Sequence, residues 1–383
     1  MQSWQLPEHI ADILPNSARH LESAKEQLLA LFRVHGYELV HPPLMEYSDS
    51  LLTHIDPGLS LKTIRVVDQL SGRQLGIRAD ITPQVARIDA HLLSANQGIN
   101  RLCYAGSVLH ARPEGFLTTR EPFQVGAELY GYADVAADIE LIDLMLKALK
   151  IGDIGETILS LGHIGIFRAL AEAAKLDAAQ TKQLSEILRN KDARAVAALV
   201  AQWPLEAQWA AAFSALPLLF GGSEVLAEAR AALPALPAVE QALADLQAVV
   251  DAFPHEQLHI DLAELRFVEY HTGLLYSVYS TECHDAVARG GRYNGLGKHF
   301  GRARPATGFS FDLRLFAGRL PKQKRPDTVA VAAADLTAAR ETVEQLRRDG
   351  ITVAVDYGLP ANSMQNSTRR LVCQDGAWQI IEN

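Results

Sequence analysis

Gly290-Gly291-Arg292-Tyr293-Asn294-Gly295-Leu296, followed by Thr307-Gly308-Phe309-Ser310-Phe311, is the stretch whose reading decides the fold. Glycine lets the chain turn tightly and lets a ligand or a second backbone approach closely. Arginine offers a planar fork that matches a carboxylate or a phosphate. The pattern predicts a tight turn with an open backbone and one fixed cation. The plainer alternative is a glycine-rich hairpin carrying a solvated arginine. A phosphate-cradling P-loop is excluded. Around Gly297-Lys298, Arg292 stands where the first glycine belongs, and His299 stands where Ser or Thr should follow.

The surrounding chain sets bounds on that stretch. It has 383 residues, 48% of them apolar and 21% charged, enough for one to three soluble domains. The formal net charge of −9 gives no general attraction to a polyanion, which counts against tRNA as a partner. Three cysteines, Cys103, Cys283 and Cys373, lie far apart with no C-x-x-C pairing. That usage predicts reduced thiols, a cytoplasmic location and no metal site, since Cys283-His284 lacks partners at ligand spacing. No signal peptide is visible, and no apolar run approaches the length that spans a bilayer.

In chain order, residues 1–16 are expected to be irregular around Pro7 and Pro15. A helix is expected from Ser17 to His35, with Leu21, Ala24, Leu28, Leu31 and Phe32 at helical spacing and Gly36 as its stop. Tyr37 to Val40 form a short strand that runs into Pro42-Pro43 and so belongs at an edge or interface. Residues 64–78 read as a hairpin around Ser71-Gly72. Asp80-Ile81-Thr82-Pro83 enters a helix, with Thr82 as N-cap and Pro83 at the first position. Asp80 is then either a helix-entry acid or a ligand acid.

Residues 102–113 and 120–131 form an antiparallel pair of strands. Along the second, Gln124, Gly126 and Glu128 alternate onto one face and Phe123, Val125, Ala127 and Leu129 onto the other. The polar face suits either a small polar ligand or solvent. A helix over 135–150 and a strand over 157–162 follow. Residues 165–253 are alanine-rich and helical in pattern, with no visible chemistry. Strands return at His259–Leu262 and on either side of a turn at Glu269-Tyr270-His271-Thr272-Gly273. Residues 325–383 make a small βαβ-like tail.

Several of these segments, in this order, resemble the histidyl-tRNA synthetases. The Pro-Pro edge strand is similar to the first class II motif, the 101–132 block to the second, and the glycine-rich stretch to the last. The resemblance implies an α+β fold: a class II aminoacyl-tRNA synthetase-like antiparallel sheet flanked by helices. It would occupy residues 1–164 and 254–322, with a helical insertion over 165–253 and a C-terminal tail over 323–383. It also implies a histidine-like pocket lined by Asp80, Arg112, Gln124, Glu128, Arg266 and Tyr270. Around Arg266 and Tyr270 the histidine motif is altered, with Phe267, Glu269 and His271 at departing positions.

The nucleotide side departs further. Leu109, Ala111 and Leu315 stand where the synthetases carry an arginine, a glutamate and an arginine, and a leucine cannot neutralise a phosphate. Arg314 lies one residue early, which on a helix would turn it about 100° away. This combination resembles the ATP phosphoribosyltransferase regulatory subunits, relatives of the synthetases. That resemblance implies a protein with no catalytic residues and no cofactor of its own, acting in histidine biosynthesis. It would dimerise, join a short-form catalytic subunit in a hetero-octamer and carry feedback inhibition by L-histidine, without tRNA or membrane. The alternatives are a histidyl-tRNA synthetase with displaced phosphate ligands and a free-standing histidine-binding regulator.

Overall fold

The computed structural model describes residues 5–52, 57–113, 115, 118–266, 270–316, 328–359 and 367–382. The chain divides into two compact units, residues 1–320 and 321–383. The first opens with α1 (Pro15–Val34), whose buried Leu21, Ala24, Leu28 and Phe32 match the expected apolar face. Pro15 starts this helix rather than interrupting a loop, because the first helical position needs no N–H. Gly36, at φ +82°, ends it in a left-handed conformation that a glycine tolerates.

After β1 (Glu38–Leu39) come β2 (Met45–Tyr47), α2 (Ser48–Leu52), α3 (Pro57–Lys62), β3 (Ile64–Val67) and β4 (Gln74–Ile77). Strands β3 and β4 form the expected hairpin, with β2 on the other side of β4. Next are α4 (Thr82–Arg87), β5 (Asn100–Ser107), β6 (Phe123–Tyr130), α5 (Ala136–Ile151) and β7 (Thr157–His163). The helical segment holds α6 (Ile164–Ala173), α7 (Ala178–Arg189), α8 (Ala193–Val200) and α9 (Ala207–Ala215). A short β8 (Phe220–Gly221) precedes α10 (Val225–Ala232) and α11 (Pro237–Ala252). The unit closes on β9 (Gln257–Asp261), β10 (Leu274–Ser280), β11 (Ala288–Arg292) and β12 (Ala306–Asp312).

Among the described residues these build a nine-stranded sheet ordered β1-β5-β6-β12-β11-β10-β7-β9-β8. The run from β5 to β7 is antiparallel, while β1 joins β5 and β9 joins β7 in parallel. One face of the sheet packs on the helices. Phe32, Leu141, Ile142, Phe167, Leu243, Tyr276 and Phe309 belong to one buried cluster. That cluster runs without a break from the sheet through α5 into α6–α11, so the helical segment shares the core of the sheet it interrupts. Each large apolar side chain sealed there contributes about 1.5–3 kcal/mol.

The glycine-rich stretch departs from its sequence reading. Gly290-Gly291-Arg292 is the end of β11, inside the sheet between β10 and β12, and is not a turn. Gly290 leaves room for the ring of Tyr276 and the carbonyl of Gly308, both of which a β-carbon would strike. Arg292 is neither solvated nor presented to a ligand. It donates to Asp138 Oδ2 on α5 from Nε at 3.0 Å and Nη2 at 2.5 Å, and to the carbonyls of Tyr132 and Asp134. Both side chains are almost wholly buried. Burial pushes the Asp138 carboxyl up, and Arg292 pulls against it.

The second unit contains β13 (Thr328–Ala332), α12 (Arg340–Arg348), β14 (Thr352–Asp356), β15 (Arg369–Gln374) and β16 (Ala377–Glu382). Its sheet is ordered β14-β13-β15-β16, with Val329, Val331, Val343, Val353 and Leu371 as its core. The βαβ part follows the sequence reading. The β15–β16 hairpin was not anticipated, although Asp375-Gly376, both at positive φ, is a two-residue hairpin turn signal.

Candidate functional site

The open face of the nine-stranded sheet carries a cavity of about 630 Å³. The pleat of β6 turns Gln124, Gly126 and Glu128 toward it and sends Val125, Ala127 and Leu129 into the core. Strand β12 is in register beside it, with Asp312 opposite Gln124, Ser310 opposite Gly126 and Gly308 opposite Glu128. Gly308 is needed there, because a β-carbon at this position would run into Glu128 Oε2.

Glu128 is the most enclosed acid of the cavity, at 1% exposure. Its Oε1 accepts from Thr82 Oγ1 and from Tyr104 Oη, each at 3.0 Å, and its Oε2 accepts from Tyr293 Oη. Burial pushes its carboxyl up to about 8, against the pull of those three hydroxyls and with help from Asp80. Thr82 therefore does not serve as an N-cap. Ile81 occupies that position without a side-chain bond, and the Thr82 hydroxyl is committed to Glu128 and Tyr104.

Asp80 Oδ1 accepts from Thr82 N at 3.0 Å and from Gln124 Nε2 at 2.8 Å. Gln124 in turn accepts from Ile81 N at 2.8 Å and donates to Ser310 Oγ at 3.0 Å. The two readings of Asp80 thus coincide in one residue: it steadies the helix entry and also lines the cavity. Tyr270 packs at 5.3 Å against Tyr293, and its buried hydroxyl has no hydrogen-bond partner among the described residues. A polar atom left bare beside a cavity favours a ligand group that can reach it.

Asp80, Gln124, Glu128 and Tyr270 are thus brought together, and Leu315 lines the same cavity. Arg112 is exposed and does not line it. Arg266 lies elsewhere, in a second hollow of about 680 Å³. There it is held by Glu264, with Nη2 to Oε2 at 2.8 Å, and by the Tyr279 hydroxyl at 2.6 Å. Phe267 and Glu269 fall outside the described residues. Leu109 and Ala111 do not line the cavity, whereas Val108 and His110 do. The alternation of an extended segment explains that shift by one, and counting in twos from Val108 would have found His110.

Three cations face the cavity that sequence reasoning missed or set aside, Lys62, Arg289 and Arg314. Arg314 follows the end of β12 in a 3-10 turn, not on an α-helix, so a one-residue offset from Leu315 does not remove it. Each arginine is already paired, Arg289 with Asp285 and Arg314 with Glu121 Oε2 at 3.2 Å. Tyr104 was also missed. Its position on β5 opposite Gly126 was legible from the strand pairing alone. Among the described residues no group of His, Cys, Asp and Glu is arranged to hold a metal ion, and no helix is long and apolar enough to cross a membrane.

Comparison with known proteins fits this architecture. The family description "Histidyl-tRNA synthetase" matches residues 9–315. An ATP phosphoribosyltransferase regulatory subunit of Neisseria meningitidis is 67% identical over 382 residues, covering 100% of both chains. One from Chromobacterium violaceum is 52% identical over 381 residues, covering 99% of each. A solved structure from Bacillus halodurans, described as an ATP phosphoribosyltransferase regulatory subunit/histidyl-tRNA synthetase, superimposes with a TM-score of 0.82. It covers 94% of this chain and 95% of that one at 24% identity. A histidyl-tRNA synthetase from Nostoc gives a TM-score of 0.76 at 16% identity, covering 100% of this chain and 97% of that one. At those identities the structural likeness establishes the fold alone.

Sheet, motifs and cavity define a class II synthetase-like protein of the histidyl-tRNA synthetase type. Within that class, the chain belongs to the family of ATP phosphoribosyltransferase regulatory subunits.

Proposed function

We propose that this protein is the non-catalytic regulatory subunit of ATP phosphoribosyltransferase at the first step of histidine biosynthesis. It docks as a homodimer on a short-form catalytic subunit, in a hetero-octamer, and biases that subunit toward its active state. L-histidine bound in the cavity shifts the balance back. A tenfold change in activity needs only about 1.4 kcal/mol of differential binding.

The observation that carries this reading is the uneven state of the cavity. Its acid side is intact: Asp80 offers a negative charge to an α-ammonium group, and Glu128 with the bare Tyr270 hydroxyl offers partners to an imidazole. On the other side, Arg289 and Arg314 are engaged by Asp285 and Glu121, and Leu315 brings an apolar side chain where a phosphate would need a cation. Lys62 is the third cation of the lining, and the cavity suits histidine better than it suits a triphosphate, which favours regulation over aminoacylation.

The test is phosphoribosyl-ATP formation by a short-form catalytic subunit, with and without this protein, across a histidine titration. Activation that histidine reverses is the expected result, and Glu128→Ala should abolish the reversal while the complex still forms. No activation of a cognate partner by well-folded protein would refute the reading. Histidine-dependent turnover of ATP by this chain alone would instead establish a synthetase.

A further inference from the structure

Glu128 Oε1, Thr82 Oγ1 and Tyr104 Oη form a closed triangle. The carboxylate oxygen lies 3.0 Å from each hydroxyl, and the hydroxyls lie 3.0 Å from each other. Three such contacts need three protons, one apiece. Threonine and tyrosine bring one each, and an ionised glutamate brings none. With Glu128 charged, one pair of buried oxygens would meet lone pair to lone pair. A proton on Oε1 closes the ring, so that every oxygen donates once and accepts once.

The surroundings agree. Oε2 is already satisfied by Tyr293, whose hydroxyl lies 3.2 Å from that of Tyr130. Asp80, ahead of α4, faces Glu128 with the same sign of charge, and the described partners of the Glu128 carboxyl are all hydroxyls. The remaining groups around it are uncharged phenols at neutral pH: Tyr104 from β5, Tyr276 from β10, and Tyr270 and Tyr293 from the turns flanking that half of the sheet. His110, His271, Lys62, Asp285 and Asp312 line the same cavity, and its two arginines are held by acids of their own. Strand β12 presents Gly308 directly opposite Glu128, with Ser310 and the acid Asp312 further along the same face.

We propose that Glu128 carries a proton until the cavity takes a cationic ligand, and that the arriving cation displaces that proton to solvent. The second half rests on the reading of this cavity as a histidine site; the first half does not. The exchange balances at the acid: the proton on Glu128 Oε1 leaves to solvent, and the ligand's ammonium group supplies the positive charge that faces the carboxylate in its place. The upward shift of the carboxyl places the exchange in the neutral range. Affinity then rises about tenfold for each pH unit below the midpoint and levels off above it. Histidine feedback through this site would be weakened by acidification.

The first experiment needs no ligand. Infrared difference spectra of the full chain with isotope-labelled glutamate are recorded from about pH 6 to about pH 10. A carboxylic-acid carbonyl band from a buried group should be present at neutral pH, disappear with a midpoint near 8, and be missing from Glu128→Gln. Absence of such a band from the wild-type chain at neutral pH overturns the proposal, whether or not the variant folds. The second experiment is calorimetry with L-histidine near pH 7 in two buffers of different ionisation heat. The wild type should release close to one proton more than Glu128→Gln. Binding with equal proton release in both proteins overturns the coupling and leaves the histidine reading standing. A titrating band with no histidine binding at any pH sinks the histidine reading and leaves the protonated Glu128 in place.

Discussion

Gly308 and Glu128 stand opposite each other on adjacent strands, and the absence of a side chain on one makes room for the other. Gly308→Ala forces a methyl group against a buried carboxyl, and overpacking of this kind costs about 1–3 kcal/mol. The expected outcome is a lower urea midpoint together with lost histidine binding by calorimetry; an alanine variant of unchanged stability would contradict the close approach. Glu128 itself makes a prediction whose sign follows from its raised pKa. A free glutamate carboxyl ionises near 4.5, and burial pushes this one up to about 8. Between those values the folded state holds more proton, so this contribution is fully present below about pH 4.5 and is lost as pH rises toward 8. The slope should reach about 1.4 kcal/mol per pH unit. Urea unfolding at a series of pH values should show wild-type stability falling relative to Glu128→Gln across that window. At this scale the site was only partly legible in the sequence. Alternation on one strand placed Gln124 and Glu128 together, but it could not place Arg266, whose partners Glu264 and Tyr279 hold it in a different hollow.

At the scale of elements, β11 shows how a local reading goes astray. Two adjacent glycines suggest a turn when only neighbours in sequence are weighed. In the sheet their missing side chains admit Tyr276 on one side and let His271 approach on the other. The arginine that follows ties β11 to α5 through Asp138. Removing one member of a buried, hydrogen-bonded pair typically costs about 3–5 kcal/mol, because the other charge is left without a partner. Arg292→Met should therefore lower the thermal midpoint sharply, and Asp138→Asn with Arg292→Met should recover part of the loss. If the double variant is no more stable than Arg292→Met, the pair is not coupled in this way. Periodicity did identify α1, the β3–β4 hairpin and the two faces of β6, since each is written in its own residues.

For the whole molecule, the division into units 1–320 and 321–383 makes a clear prediction. The two cores share no residue. A chain ended after residue 320 should keep the thermal midpoint and the histidine affinity of the first unit, as read by circular dichroism and calorimetry. Collapse of that shortened chain would show that the first core depends on the second. The sequence alone determined α1, the β3–β4 hairpin and the two faces of β6, because apolar spacing and turn residues act over a few positions. With the order of its motifs, it also determined the class of fold. Only the tertiary structure decided which polar residues meet. The triangle of Glu128, Thr82 and Tyr104 draws on three elements, and the arginines at the cavity are quenched by Asp285 and Glu121. The charge state of such a group depends on burial and on neighbours distant in sequence, and those exist only once the sheet has closed around it.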